Sequence, residues 1–298
     1  MYTLREPAAP LRSFVEHYWF VHATESAPVD LSVDVYVDGR ADLIFTFGAP
    51  YTRRVLGEAP HRVGTSNLDA QRLRPIRIEQ RGAVVVSGVR FRTAGLAPFV
   101  SMAVDACTDR VVPLAEVFGP EALAVEKRMG AAIEDVAEQT RVLDDFLGRR
   151  LDVGPGVRRV QALKTRLEDA GGLLRMDELA AEAGLSGRQM DRLFRTHLGF
   201  GPKTFARIVR FQRGLALLRT DPGCTLADVG VACGYYDQSH FVREFRRFAG
   251  VPPRARVGYF PADGPADFSP NVVRFVQDPR LRAGEAGGPP PTGGSQDA

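Results

Sequence analysis

The chain has 298 residues, 44% of them apolar and 25% charged, with a net charge of +3. This length favours two domains over one, and the composition is that of a globular protein, not a disordered or fibrous one. No run of 18 apolar residues occurs, which argues against a membrane-spanning helix.

The opening MYTLREPAAP carries acid and proline around no apolar core. It does not read as a signal peptide, so a cytoplasmic location is expected. Residues 11–20 are apolar and aromatic. Leu31, Val33, Val35 and Val37 then alternate with Ser32, Asp34, Tyr36 and Asp38, the period of a half-buried strand. Asp38-Gly39 reads as a hairpin-type turn, and Ala41–Phe47 resumes as a strand. Further strands are expected at 51–56, 61–65, 75–80 and 83–91. Short strands punctuated by turn residues predict an antiparallel barrel or sandwich. Helices are expected at 94–103 and 113–118, then one broken or two consecutive helices over Glu121–Leu151. The N-terminal domain is therefore read as α+β over 1–151, with Asp152–Gly156 (DVGPG) as the linker.

From Val157 the pattern is helical. Val157–Ala170 is the first helix. Met176–Ala183 is a short helix, Gly184 a turn, and Ser186 the N-cap of a helix reaching His197. On that helix Met190, Leu193, Phe194 and His197 share one face. Arg188, Asp191, Arg192 and Arg195 share the other. Pro202 opens a long helix to Leu218 with an apolar stripe of Phe205, Ile208, Val209 and Leu215. The short-helix, glycine-turn, helix pattern then repeats about fifty residues on. Ala227–Cys233 precedes Gly234, Asp237 is the cap, and Phe241, Phe245 and Phe248 form the apolar face. Ser239, Val242, Arg243 and Arg246 lie opposite. Two helix-turn-helix units bridged by one helix make an all-α domain over 157–258.

The stretch ADVGVACGYYDQSHFVREFRRFAGVPPRAR is similar, nearly throughout, to the signature of the AraC/XylS family of bacterial transcription regulators. LAAEAGLSGRQMDRLFRTHLGFGPKTF resembles that family's first helix-turn-helix. The resemblance covers about Val157–Tyr259, a third of the chain. Two residues depart from it: Tyr235 stands where phenylalanine is common, and Gly187 opens the first recognition helix. It implies two recognition helices entering successive major-groove segments. VYVDGRADLIFTFG and GVRFRTAGLAPFV resemble a little-characterised domain found ahead of the DNA-binding domain in one subgroup. That likeness implies a sensory or dimerising role and names no ligand.

Charge follows this division. Residues 157–258 hold 18 Lys+Arg against 10 Asp+Glu, a net +8, and the rest hold 21 against 26, a net −5. A phosphate-binding surface requires such a local excess. On the first recognition helix Arg188 and Arg192 are the candidate readers, because an arginine fork pairs with guanine O6 and N7. A phosphate contact or a solvated charge is the plainer alternative. Asp191 can accept from cytosine N4 or pair with Arg195 one turn on. By the resemblance, Gln238, Ser239, His240, Val242 and Arg243 face DNA on the second helix. Gln238 suits adenine, Val242 a thymine methyl and His240 a phosphate, with a plain surface histidine as the alternative. Arg246 and Arg247 read as backbone contacts. Gly201, Lys203 and Thr204 open the bridging helix, whose N–H groups suit a phosphate.

The expected partners are operator or promoter DNA, a small-molecule effector, a second copy of the chain, and RNA polymerase. No cofactor, metal site or catalytic residue is expected. His17, His22 and His61 form no HxH pair in the N-terminal region, and no nucleophile elbow or phosphate loop appears. Cys107, Cys224 and Cys233 make no CxxC pair and read as reduced thiols. An architectural or ligand-independent DNA-binding protein is the alternative reading, and a cupin-like enzyme a distant third. Residues 259–298 form a C-terminal extension in which Val272–Val276 reads as a strand and the last fifteen or so residues as disordered.

Overall fold

Alternating apolar residues build the first third of the chain into strands. The computed structural model describes residues 2–253 apart from 27 and 222, so the expectations for 259–298 lie outside it. The strands are β1 (Tyr2–Arg5), β2 (Val15–Ala23), β3 (Val29–Val35), β4 (Asp42–Thr46), β5 (Tyr51–Val55), β6 (His61–Val63), β7 (Asn67–Asp69), β8 (Ile76–Gly82), β9 (Val84–Phe91) and β10 (Val111–Pro113). They form two antiparallel sheets, ordered β1-β2-β9-β4-β7-β10 and β3-β8-β5-β6.

The larger sheet is covered on both faces. Tyr18, Phe20, Leu43, Phe45, Val89 and Phe91 point to one side. They pack there on the helices α1 (Leu114–Phe118), α2 (Pro120–Ala131) and α3 (Val136–Arg150). Ile44, Val84 and Val86 point to the other side, toward Tyr51 and Val63 of the smaller sheet. The period-two alternation of side chains thus feeds two cores from the same strands. Asp144 on α3 ties down the start of the chain, accepting from Tyr18 Oη and from Ala8 N, each at 2.8 Å.

Three expectations change. Asp38-Gly39 is not a hairpin turn. β3 pairs with β8, and β4 with β9 and β7, so this turn carries the chain from one sheet to the other. Residues 94–103 form no sustained helix, only a single helical turn at Ala97–Phe99. The chain there is tied back on the segment before β2 and turns tightly, with Arg92 N donating to Phe14 O at 2.8 Å and Gly95 N to Arg92 O at 2.7 Å. The Asp152–Gly156 stretch is not wholly irregular, because Pro155 already begins a helix, where its missing N–H costs nothing.

The remaining helices are α4 (Pro155–Asp169), α5 (Met176–Glu182), α6 (Gly187–Leu198), α7 (Pro202–Thr220), α8 (Leu226–Ala232) and α9 (Gln238–Ala249). Their core centres on Phe211 of α7, whose ring lies 5.3 Å from Phe245 and 5.4 Å from Phe248. Each such buried ring contributes on the order of 1.5–3 kcal/mol. Two residues from segments that follow strands of the N-terminal unit, Val37 after β3 and Ala94 after β9, belong to this same core. Val157 of α4 packs in return with the N-terminal core. Polar contacts reinforce the junction: Gln161 Nε2 donates to Ala94 O at 3.1 Å, and Gln212 Nε2 to Val37 O at 2.6 Å.

Candidate nucleic-acid interface

Local chemistry sets both recognition helices. Ser186 caps α6 through a capping box, accepting from Gln189 N while the Gln189 side chain accepts from Ser186 N. Asp237 caps α9 by accepting from His240 N at 2.7 Å. α8 is held by a second capping box between Thr225 and Asp228. Gly184 and Gly234, at φ +62° and +69°, turn the chain between the short helix and the recognition helix of each unit.

The units are joined by α7, whose 19 residues make a rod of about 28 Å at about 1.5 Å per residue. That is close to one turn of B-DNA, about 34 Å, which separates successive major-groove segments on one side of the duplex. A bidentate ion pair fastens α7 to α9. Arg207 Nε donates to Glu244 Oε2 at 2.7 Å and Nη2 to Oε1 at 2.6 Å. Burial alone would raise the Glu244 carboxyl. The Arg207 hydrogen bonds and charge outweigh it, with help from Arg247 and His240, and hold it below the ordinary value. Arg207 also lies over the Phe248 ring, 5.5 Å from its centroid.

The candidate readers fall into distinct environments. Arg188 and Arg192 on α6, and Gln238, Ser239, Arg243 and Arg246 on α9, are exposed. Among the described residues Arg188, Arg192, Arg243, Arg246 and Arg247 form no ion pair, whereas Arg166, Arg175 and Arg207 do. Arg195 is also exposed, and its Nε donates to Asp191 Oδ2 at 2.7 Å, the helical pairing considered from the sequence. Lys203 and Thr204, with Asp191 and Arg195, line an open groove of about 680 Å³ between α5, α6 and the start of α7. His240 is half-buried with its ring edge-on to Tyr235 at 5.2 Å, and Val242 is half-buried against the core. Both present only part of their surface outward.

Sequence reasoning passed over Tyr236. It lies 93% exposed in the turn just before the α9 cap, while its neighbour Tyr235 is buried. The Arg207–Glu244 pair was also missed, since nothing local joins residues 37 positions apart.

Residues 179–256 match a family model described as a helix-turn-helix domain, and residues 4–113 match one described as a domain of unknown function, DUF6597. The chain is 36% identical over 109 residues to the HTH-type transcriptional regulator CdhR of Pseudomonas aeruginosa, covering 36% of this chain and 32% of that one. It is 32% identical over 78 residues to the HTH-type transcriptional regulator MtrA of Neisseria gonorrhoeae, covering 26% of each. The matched part thus spans about a third or less of these relatives. Among solved structures, an AraC-type transcriptional regulator from Chromobacterium violaceum is similar at 27% identity and TM-score 0.30, over 36% of this chain and 90% of that one. ToxT from Vibrio cholerae is similar at 10% identity and TM-score 0.44, over 85% of this chain and 99% of that one.

Proposed function

We propose that this chain, whose C-terminal unit is a helix-turn-helix domain of the AraC type, is a sequence-specific DNA-binding transcription regulator. The carrying observation is the pair of capped helices, α6 and α9, mounted on one 19-residue helix, with exposed arginines that form no ion pair among the described residues. A guanidinium already held by a carboxylate has its fork occupied. An unpaired one is free to take guanine O6 and N7 or a phosphate. Arg188 and Arg192 read one sequence block, and Gln238, Val242 and Arg243 the other. Ser239, His240, Lys203 and Arg246 hold the backbone. The Asp191–Arg195 pair sets the α6 surface between them.

The N-terminal unit takes the regulatory role, by binding a small-molecule effector or a second copy of the chain. RNA polymerase is the downstream partner, the chain acts in the cytoplasm, and it performs no catalysis. Among the described residues no helix is long and apolar enough to cross a membrane, which suits that placement.

Selection of bound duplexes from a random pool tests the reading. The full chain should enrich two blocks centred about ten base pairs apart. Arg192→Ala should relax one block and Arg243→Ala the other, each costing about 1–3 kcal/mol on the best site. Equal losses on every sequence would make both arginines phosphate contacts. No enrichment by the wild-type chain would defeat the reading itself.

A further inference from the structure

We propose that the N-terminal unit is a gauge that fixes the spacing of the two recognition helices within one chain. The proposal rests on the DNA-binding reading above. A helix leaves its last carbonyls unsatisfied, and something outside it must supply donors. Each recognition helix meets part of this need with its own cap, Gly199 N donating to Arg195 O and Gly250 N to Arg246 O, and takes a further donor at that end from the N-terminal unit.

At the end of α6, Thr108 Oγ1 donates to Gly199 O at 2.9 Å. Thr108 is itself fixed by Gln71 Nε2 at 2.9 Å, and Gln71 lies directly against Gly199. At the end of α9, Val37 N donates to Phe248 O at 3.1 Å. Leu56 and Pro75 press on the capping residue Gly250. Between these two grips the same short segment holds the middle of α7. Gln212 Nε2 binds Val37 O, Tyr36 meets the Phe211 ring edge-on at 6.5 Å, and Gly39 abuts Phe200 and Ile208.

This segment is anchored from behind. Val37 and Gly39 face the helical core, while Asp38 between them faces back into a buried charge cluster. Arg90 binds Asp38 and, through Nη1, Asp42 at 2.9 Å. Arg72 reaches Asp69 at 3.3 Å, and Asp69 also holds Arg53 at 3.0 Å. Burial would raise the Asp38 carboxyl, but Arg90, Arg72 and Arg40 hold it below the ordinary carboxylate range. Asp38 therefore stays charged and its segment stays fixed. A buried charge left without its partners is costly, so the cluster resists partial rearrangement. The two recognition helices accordingly end on one rigid body, and α7 alone does not set their separation. Thr108 and Val37 are positioning residues that act through α6 and α9, and Gln212 is one that ties α7 to Val37.

The test uses the full chain with Thr108→Val and Gln212→Leu, singly and together. Spin labels are placed at Arg188→Cys and Arg243→Cys in a Cys224→Ser background, and their separation is measured without DNA. The parent should give one narrow distance, and the double variant a broad distribution. Thr108→Ser, which keeps the hydroxyl, should restore the narrow form at the α6 end. In parallel, unlabelled chains are titrated with duplexes carrying the two selected blocks at altered separation. Moving the blocks by one base pair should weaken the parent about tenfold, in the range of one mismatched base pair, and the double variant markedly less. A double variant with the parent's distance distribution overturns the proposal, as does an unchanged spacing profile. A parent chain that selects no DNA defeats the regulator reading instead, and the label distances still decide the gauge.

Discussion

Replacing Gly199 and Gly184 by alanine, one at a time, measures the contact between the first recognition helix and the sheets. Both glycines have positive φ, +101° and +62°. Gly184 has nothing within 4 Å of an added Cβ, so Gly184→Ala carries only the left-handed backbone penalty, about 1–2 kcal/mol. At Gly199 the backbone lies further from the left-handed well and costs about 1–3 kcal/mol. The added Cβ would also overlap Gln71 Nε2 and stand 2.6 Å from Thr108 Oγ1. Relief requires moving a packed side chain, about 1–3 kcal/mol, and stretching the Thr108–Gly199 hydrogen bond, about 1 kcal/mol. Gly199→Ala should therefore destabilise the chain by about 3–7 kcal/mol. Urea unfolding followed by circular dichroism gives both values, provided the slope against urea is unchanged. Gln71→Ala added to Gly199→Ala should recover part of the loss, because it removes the atom in the way. If Gly199→Ala proves as mild as Gly184→Ala, α6 does not end against Gln71 and Thr108 in solution, and the gauge loses its first grip.

Glu244→Gln should cost about 1–3 kcal/mol, below the range for a fully buried pair because the Arg207 side chain is 27% exposed. The folded-state pKa of Glu244 is depressed, so its contribution is present above the unfolded value, about 4.3, and lost as pH falls through the folded value. The stability gap between parent and Glu244→Gln should accordingly be full at neutral pH and close in acid, and urea titrations at several pH values check it. Ser186→Ala and Asp237→Ala should each cost about 1 kcal/mol through the loss of a cap, read from the same unfolding curves. Arg246→Ala should weaken specific and random DNA alike and lower the salt slope by about 1, measured by titration at several salt concentrations.

The helical part of the chain was legible because its signals are local. A cap, a glycine turn and the Phe241, Phe245, Phe248 period each lie within one or two helical turns, and each appears where the residues place it. The sheets were legible strand by strand but not in their pairing. Val15–Ala23 shows no alternation, since both faces of its sheet are covered, so the strand read only as an apolar segment. Asp-Gly between two apolar runs suits a hairpin, yet the chain uses it to change sheets, and no nearest-neighbour rule separates the two outcomes. Nor does the letter at Val37 reveal which core it enters. Its side chain packs with residues more than 150 positions away, among them Phe211 and Phe248. The candidate DNA-facing residues were legible only as positions on two helices. The environment of each arginine required the fold.

That environment bears on how the positive charge is used. Residues 157–258 hold 18 Lys+Arg, and a count alone treats them as one field. The fold divides them. Arg166 is held by Glu182, Arg175 by Asp177, Arg195 by Asp191 and Arg207 by Glu244. These acids sit on α5, α6 and α9; Glu244 is buried against α7, while Asp177, Glu182 and Asp191 reach the surface and keep negative charge on the unit that would meet phosphates. Carboxylates so placed repel a duplex unless each is neutralised by its own arginine. On the proposed reading, the paired arginines make the surface tolerable to DNA, and the unpaired ones make it attractive. Removing an unpaired arginine would then subtract one contact. Removing a paired one subtracts a cation and releases an anion at the interface. Arg195→Ala should therefore weaken DNA binding although Arg195 reads no base, and Asp191→Asn in the same chain should recover most of the loss. If the second substitution restores nothing, Arg195 contacts DNA directly, and the division between paired and unpaired arginines does not separate support from readout.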